Sequence, residues 1–230
     1  MPETILKVEN LDVELEEEEI LKDLSFEVKE GEVLTILGPN GAGKTVLLKT
    51  LLGILPYEGE IAWKAGIKIG YVPQRLPFIK EIPLSVKEFF DLENVSENET
   101  KEILKSIGIE EDILKKKIGD LSSGQFQRIL IGWALAPNPE VLLFDEPLAG
   151  IDIGGQESVY NLLEKLEKEK NLTILFVTHE LSIVYKLADE VLCLNKKMLC
   201  YGLPKEILTP ERIGQLYSGE VKFYEHKHAP

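Results

Sequence analysis

The sequence predicts an α/β fold with a mainly parallel core sheet, an antiparallel β subdomain and an inserted helical subdomain. Three observations carry this expectation. The apolar run Val33-Leu34-Thr35-Ile36-Leu37 leads through a glycine-rich segment, Gly38 to Thr45, into a helix-patterned run from Val46 to Leu52. Two more continuous apolar runs, Val141-Leu142-Leu143-Phe144 and Thr173-Ile174-Leu175-Phe176-Val177, flank a helical pattern from Gln156 to Lys168. Such runs fit parallel strands covered on both faces and joined by helical crossovers. Between the two halves, about 84–136, the periodicity becomes helical.

Element by element, Ile5-Leu6-Lys7-Val8 and Leu24-Ser25-Phe26-Glu27-Val28 alternate as half-buried strands do, with Glu16-Glu17-Glu18-Glu19 as a solvated turn between them. Ile61-Ala62-Trp63 and the run from Ile67 to Val72 add strand. Three helices are expected in the insertion, Val86 to Leu92, Asn98 to Ile107 and Gln125 to Leu135, with Gly108 and Gly119 as punctuation. Val191 to Leu194 and Met198 to Tyr201 read as two strands turning at Lys196-Lys197, and Pro204 to Tyr217 as short helices. The segment 219–230, which carries His226 and His228, reads as a loose tail; two histidines at i and i+2 can share a metal only weakly.

The segment Gly38-Pro39-Asn40-Gly41-Ala42-Gly43-Lys44-Thr45 satisfies G-x-x-x-x-G-K-[ST] at every fixed position, in the strand–loop–helix context of a P-loop NTPase. Its glycines permit turns that point successive N–H groups inward as an anion nest, and the following helix adds its positive dipole end. Lys44 can reach the β- and γ-phosphates and the Thr45 hydroxyl can ligate Mg²⁺, so ATP with Mg²⁺ is the expected cofactor pair. The run ending at Phe144 delivers Asp145 and Glu146 to a strand's C-terminal end, where open α/β folds keep their ligands. Asp145 is placed to hold Mg²⁺, and Glu146 to polarise the attacking water.

At 230 residues the chain suits one domain, or one domain with a subdomain. No stretch approaches the ~20 apolar residues needed to span a bilayer, and the N-terminus lacks signal-peptide character. A cytosolic protein that meets a membrane only through a partner is therefore expected. A formal net charge of −14 argues against a general nucleic-acid binder. The two cysteines, Cys193 and Cys200, are expected to be free and structural; the hairpin register would place them opposite one another, which leaves a redox or metal role as the alternative, although a metal site needs more ligands than these two.

Beyond the phosphate loop, the chain resembles the ATP-binding cassette (ABC) ATPases. The residues that carry the resemblance are Leu121-Ser122-Ser123-Gly124-Gln125, close to the family's LSGGQ signature, Gln74 as its Q-loop glutamine, Leu148 to Asp152 as its D-loop, and His179 as its switch histidine. All occur in the family's order. The resemblance implies a homodimer in which Ser122, Ser123, Gly124 and Gln125 of one chain face the γ-phosphate held by the other. Gln74 would join Thr45 and Asp145 around Mg²⁺, His179 would contact the γ-phosphate, and Asp152 would touch the neighbouring phosphate loop. Three positions depart from the pattern: Ser123 replaces the usual Gly, Val46 replaces a hydroxyl residue, and the adenine-stacking aromatic is missing near Leu15.

A finer similarity, carried by Tyr71 to Arg75, Ile82 to Val86, Gly150 to Gln156 and Asp189 to Asn195, points to the ATP-binding subunits of zinc and manganese importers. That resemblance implies a membrane permease, an extracytoplasmic metal-binding protein and residence at the cytoplasmic face of the membrane. It also implies a permease clasp around Gln74 to Leu92, with Phe78, Phe89 and Phe90 as exposed candidates. The alternative is a non-transport cassette ATPase such as an iron–sulfur cluster assembly scaffold. A chromosome or DNA-repair cassette protein needs a long coiled coil between phosphate loop and signature, and this chain has no room for one.

Overall fold

A computed structural model describes residues 2–74, 83–147 and 153–217. Along the chain, β1 (Thr4–Leu15) and β2 (Glu18–Lys29) precede β3 (Val33–Leu37), α1 (Lys44–Leu51), β4 (Glu58–Trp63) and β5 (Ile69–Val72). The insertion carries α2 (Val86–Asp91), α3 (Glu97–Ser106) and α4 (Ser123–Leu135). Next come β6 (Val141–Asp145), α5 (Ile153–Lys170), β7 (Thr173–Thr178), α6 (Leu181–Leu187), β8 (Glu190–Asn195), β9 (Lys197–Gly202), α7 (Pro204–Ile207) and α8 (Pro210–Leu216). A three-stranded sheet has the order β2-β1-β4 and a six-stranded sheet the order β5-β6-β7-β3-β8-β9. The expected α/β class is thus observed.

The chain divides into two compact units. The first comprises Met1–Lys7, Glu27–Leu34 and Ala62–Val177. In it β5, β6 and β7 run parallel, with Val72 beside Phe144 and Asp145 beside Val177. Every residue of β6 and β7 is buried, which is why both strands show as unbroken apolar runs in the sequence. The helical insertion closes on itself at its base: Val86 N–H donates to Lys116 O, and Ile118 N–H donates to Leu84 O, each at 2.9 Å. α2 and α3 both open with a capping box, Ser85 with Glu88 and Ser96 with Glu99. Each box satisfies two N–H groups that a bare helix start leaves unpaired.

The expectation that Phe89 and Phe90 are exposed is wrong. Phe89 is 4% and Phe90 0% exposed. Phe89 stacks on Trp133 of α4, centroid to centroid 5.4 Å, and Phe90 packs toward Gly132, where a Cβ would come within 3.3 Å of its ring. Burying each ring contributes about 1.5–3 kcal/mol, which holds both in the insertion's core. In the segment 83–92, Leu92 is the large apolar side chain left at the surface, at 61% exposure. Phe78 lies outside the described residues.

The second unit comprises Val8–Phe26, Thr35–Ile61 and Thr178–Pro230. The hairpin between β1 and β2 turns at Glu16 and Glu17, both with positive φ (51° and 66°), as a two-residue turn between twisted strands requires. β8 and β9 pair antiparallel with Cys193 opposite Cys200, and the two sulfurs form a disulfide. This overturns the expectation of free thiols. Both cysteines lie in an apolar cluster with Leu37, Val184, Val191, Ile207, Leu208, Ile213 and Leu216.

Candidate nucleotide site

In the first unit, β6 ends on Asp145, which is 2% exposed. Its neighbour Tyr71 on β5 pairs with Leu143, two residues before Asp145, so both side chains rise from one face of the sheet. The Tyr71 phenol donates to Asp145 Oδ2 at 3.3 Å. Burial raises the Tyr71 pKa above its ordinary range, and the charge and hydrogen bond of Asp145 raise it further, so the phenol is a neutral donor at physiological pH. One residue on, Glu146 adopts φ 44°, a left-handed conformation that costs a non-glycine residue energy. This turn carries its carboxylate to Gln74, whose Nε2 donates to Glu146 Oε2 at 2.8 Å. With its nitrogen so committed, the Gln74 amide keeps its oxygen as a hard acceptor. Within this unit, the oxygen donors of Asp145 and Gln74 are of the carboxylate and carbonyl kinds that Mg²⁺ prefers.

The signature stretch of the same unit forms the start of α4. Ser122 is the N-cap: its Oγ accepts from Gln125 N–H at 3.2 Å, and Gln125 Oε1 accepts from Ser122 N–H at 3.2 Å. The helix therefore begins two residues earlier than expected. A hydroxyl that accepts in a cap still carries its own proton to donate to an anion. Ser123 sits at the first helical position, where φ is negative and a side chain costs nothing, so its departure from glycine introduces no strain. A Cβ on Gly124 would meet nothing within 4 Å. α4 is tied to its surroundings by Arg128, whose Nη1 donates to Ile107 O at 2.7 Å, at the C-terminal end of α3, and whose Nη2 contacts Ser158 Oγ on α5. A cation on the carbonyl end of a helix is favourable there.

In the second unit, the loop 38–45 joins β3 to α1. Gly43 is the N-cap of α1, with φ 94°; it supplies no side-chain cap, and the first turn holds no acidic residue. By contrast α2, α3, α4 and α8 each receive a hydroxyl cap. Position 43 favours glycine because φ 94° strains any other residue, and a Cβ would also press on Leu21 Cδ2 at 2.5 Å. Gly38 is similarly constrained, since a Cβ would lie 2.2 Å from the carbonyl oxygen of Leu194. Lys44 is 6% exposed and donates to Gly38 O and Pro39 O, both at 2.9 Å, folding its ammonium back over the loop. A phosphate offers the same ammonium stronger, charge-assisted bonds. His179 follows the buried strand β7 and is exposed. Its backbone is anchored by the Tyr217 hydroxyl, which donates to His179 O at 3.0 Å, and by the next turn, where Glu180 N–H donates to Thr178 Oγ1 at 3.0 Å. Asp152, with the rest of the D-loop stretch 148–152, lies outside the described residues, as do His226 and His228.

Residues 21–149, from within β2 through the phosphate loop and signature to just past β6, match the family model described as ABC transporter. The chain belongs to the ABC transporter family. A "Probable metal transport system ATP-binding protein" of Thermotoga maritima is 39% identical over 224 residues, covering 93% of this chain and 90% of that protein. The zinc import ATP-binding protein ZnuC of Wigglesworthia glossinidia brevipalpis is 36% identical over 232 residues, covering 98% of this chain and 100% of that protein. Among solved structures, cbiO1 from Clostridium perfringens, part of the ABC transporter complex cbiONQ, superposes with a TM-score of 0.78 at 30% identity, over 92% of this chain and 93% of that one.

This ABC transporter ATPase domain holds two site-supporting residues to which sequence reasoning gave no role. Tyr71 was visible only as part of a motif, and its reach to Asp145 depends on the β5/β6 register. Arg128 is one cation among many in a helical stretch. Its partners are the end of one helix and the face of another, which no local pattern announces.

Proposed function

We propose that this chain powers import of a divalent metal ion, zinc or manganese, as the ATP-hydrolysing subunit of an importer whose channel is a separate membrane permease. The names of its relatives support the metal class, since the similarity extends over more than nine-tenths of the chain. The observation that supports the nucleotide chemistry is the N-terminus of α1 behind the glycine loop, where no side chain caps the first turn and an anion can take that place. We assign the chain as one domain, 1–230, with the helical insertion at 84–136 and a tail at 219–230.

In this reading two copies of the chain close on two ATP molecules. Gly38, Pro39, Asn40, Gly41, Ala42 and Gly43 wrap the phosphates with backbone N–H groups, and Lys44 leaves the Gly38 and Pro39 carbonyls to pair with phosphate oxygens. Ser122, Ser123, Gly124 and Gln125 of the second copy approach the γ-phosphate, through the Ser122 hydroxyl and the N-terminus of α4. Thr45, Asp145 and Gln74 would hold Mg²⁺, whose positive charge would offset the negative charge of the phosphates. Glu146 accepts a proton from the attacking water, Gln74 orients Glu146, and His179 contacts the γ-phosphate. Asp152 reaches the partner's phosphate loop. Closure moves the insertion, and the permease contact lies on its surface near Leu92, not on Phe89 or Phe90. An extracytoplasmic binding protein delivers the ion. No helix of the described residues is long and apolar enough to cross a membrane, in keeping with a peripheral place on the permease's cytoplasmic side. The relatives named as metal importers do not favour the iron–sulfur scaffold alternative.

The test is reconstitution of the chain with its permease in liposomes, with zinc, manganese and iron offered in turn. ATP-dependent uptake of zinc or manganese is expected; uptake of neither discards the importer reading.

Tyr71 provides a test of the metal ligands. Tyr71→Phe deletes one hydrogen bond to Asp145 and preserves the ring. Loss of such an outer partner weakens metal binding about tenfold. We expect the Mg²⁺ concentration for half-maximal ATPase activity to rise by about that factor, with little change in turnover at saturating Mg²⁺. Mn²⁺ bound in the presence of a non-hydrolysable ATP analogue, counted by electron paramagnetic resonance, should weaken in parallel. An unchanged metal dependence would remove Tyr71 from the site.

A further inference from the structure

We infer that Cys193 and Cys200 form a thiol–disulfide exchange site that sets the geometry of the phosphate-binding loop, its co-reactant being a dithiol or a disulfide of the thioredoxin or glutathione chemical class. Four contacts support this, all within the second unit. Leu194, next to Cys193, places its carbonyl oxygen directly against Gly38, at the loop's first residue. Lys196, in the hairpin turn, donates its N–H to Ala42 O of the loop at 3.0 Å. The carbonyl of the same Lys196 accepts from Lys22 N–H at 2.8 Å, beside Leu21, whose side chain packs on Gly43. Leu37, the residue that leads into the loop, shares one apolar cluster with both cysteines. The β8–β9 hairpin thus touches the loop 38–45 directly at Gly38 and Ala42, and through β2 at Gly43.

The pairing of that hairpin is irregular where it matters. The register shifts between Cys193 and Leu194, so a bulge sits beside the residue that abuts Gly38. A bulge leaves the ladder locally disrupted, and the disulfide bridges the strands next to that disruption. The cysteines are 7 positions apart. A ring this short constrains the unfolded chain less than a long one does, so a large part of its effect is expected locally in the native hairpin. β9 is the edge strand of its sheet, so the bond can be reached when the edge opens. In the exchange, a thiolate of the reductant attacks one cysteine sulfur and the S–S bond breaks. A mixed disulfide forms and then resolves with the reductant's second thiol. Two electrons and two protons pass to Cys193 and Cys200, and the reductant leaves as its own disulfide. Oxidation is the reverse.

This inference rests on the proposed phosphate-binding role of 38–45, and one experiment separates the two. The full chain is oxidised with oxidised glutathione or reduced with dithiothreitol, its thiols are counted, and MgATP affinity is measured in each state. Tight MgATP binding by the oxidised chain is expected; its absence would sink the phosphate-loop reading itself. Reduction is expected to weaken MgATP binding about fivefold or more, the lower range of coupling between linked sites. Reoxidation should restore it. Reciprocity then requires MgATP to shift the thiol–disulfide equilibrium by the same factor, a readout that needs no variant. Cys193→Ser/Cys200→Ser should bind like the reduced chain in either buffer. Equal affinity in both redox states, or two free thiols after oxidation, overturns the inference while leaving the nucleotide site standing.

Discussion

Glu146→Gln is expected to lower ATP turnover by about 10²–10⁴-fold, the contribution of a positioned general base. The substitution is nearly isosteric. Glu146 accepts a hydrogen bond from Gln74 Nε2 at 2.8 Å, and the amide oxygen of the substituted side chain can accept the same bond. What the change removes is basicity, and with it the capacity to take a proton from water. Binding should therefore survive while chemistry fails, and steady-state turnover with single-turnover measurements will show which step is lost. The left-handed backbone at Glu146 gives the result extra weight, because strain at a non-glycine residue persists only where surrounding structure enforces it. Near-normal hydrolysis by this variant would mean that the base is another residue.

Lys44→Ala is the second large effect. Lys44 is almost fully buried, and its ammonium is held by two main-chain carbonyls of the loop it serves. Without it the loop keeps its glycine turns and the α1 N-terminus but loses the cation proposed to pair with the phosphates. Removal of a preorganised electrostatic donor typically costs about 10²–10³-fold in turnover, and MgATP affinity should fall as well, because the ammonium pairs with ground-state phosphates too. The melting temperature in the absence of nucleotide should change far less than the activity; a chain that unfolds instead would assign Lys44 to structure.

The strands β3, β6 and β7 were legible because burial on both faces leaves no room for polar residues in Val33–Leu37, Val141–Asp145 and Thr173–Thr178 apart from a few hydroxyls and the carboxylate of Asp145. The start of α2 was legible at Val86, but that of α4 was expected at Gln125, two residues late, because the box between Ser122 and Gln125 starts the helix at Ser123. The outer end of β2 was not legible, since the exposed face of a hairpin accepts charges such as Glu18 and Glu19 that read as turn. α6 was missed: seven residues give too few turns for periodicity to register. Phe89 and Phe90 misled because adjacent aromatic residues on a short helix resemble a surface patch. Packing from α4 covers them, and that is a tertiary fact. The cysteine register could be read from the hairpin, but whether the sulfurs bond depends on their approach in space.

In the site, the glycine loop, Asp145 and Glu146 followed from local chemistry. Gln74, Ser122 and His179 needed the order of motifs. The structure then joined Gln74 to Glu146, placed Ser122 as a helix cap with its proton available, and added Tyr71 behind Asp145.

If MgATP is gripped between two copies of this chain, one supplying Gly38 to Thr45 and the other Ser122 to Gln125, then particle mass must follow nucleotide occupancy. Light scattering and nucleotide counting on the Glu146→Gln chain with MgATP decide the matter. A particle of twice the single-chain mass is expected, retaining one ATP per chain and falling apart when Mg²⁺ is chelated. A particle that stays at the single-chain mass at saturating MgATP, or a dimer that forms without nucleotide and retains none, would mean that the two stretches never share an ATP.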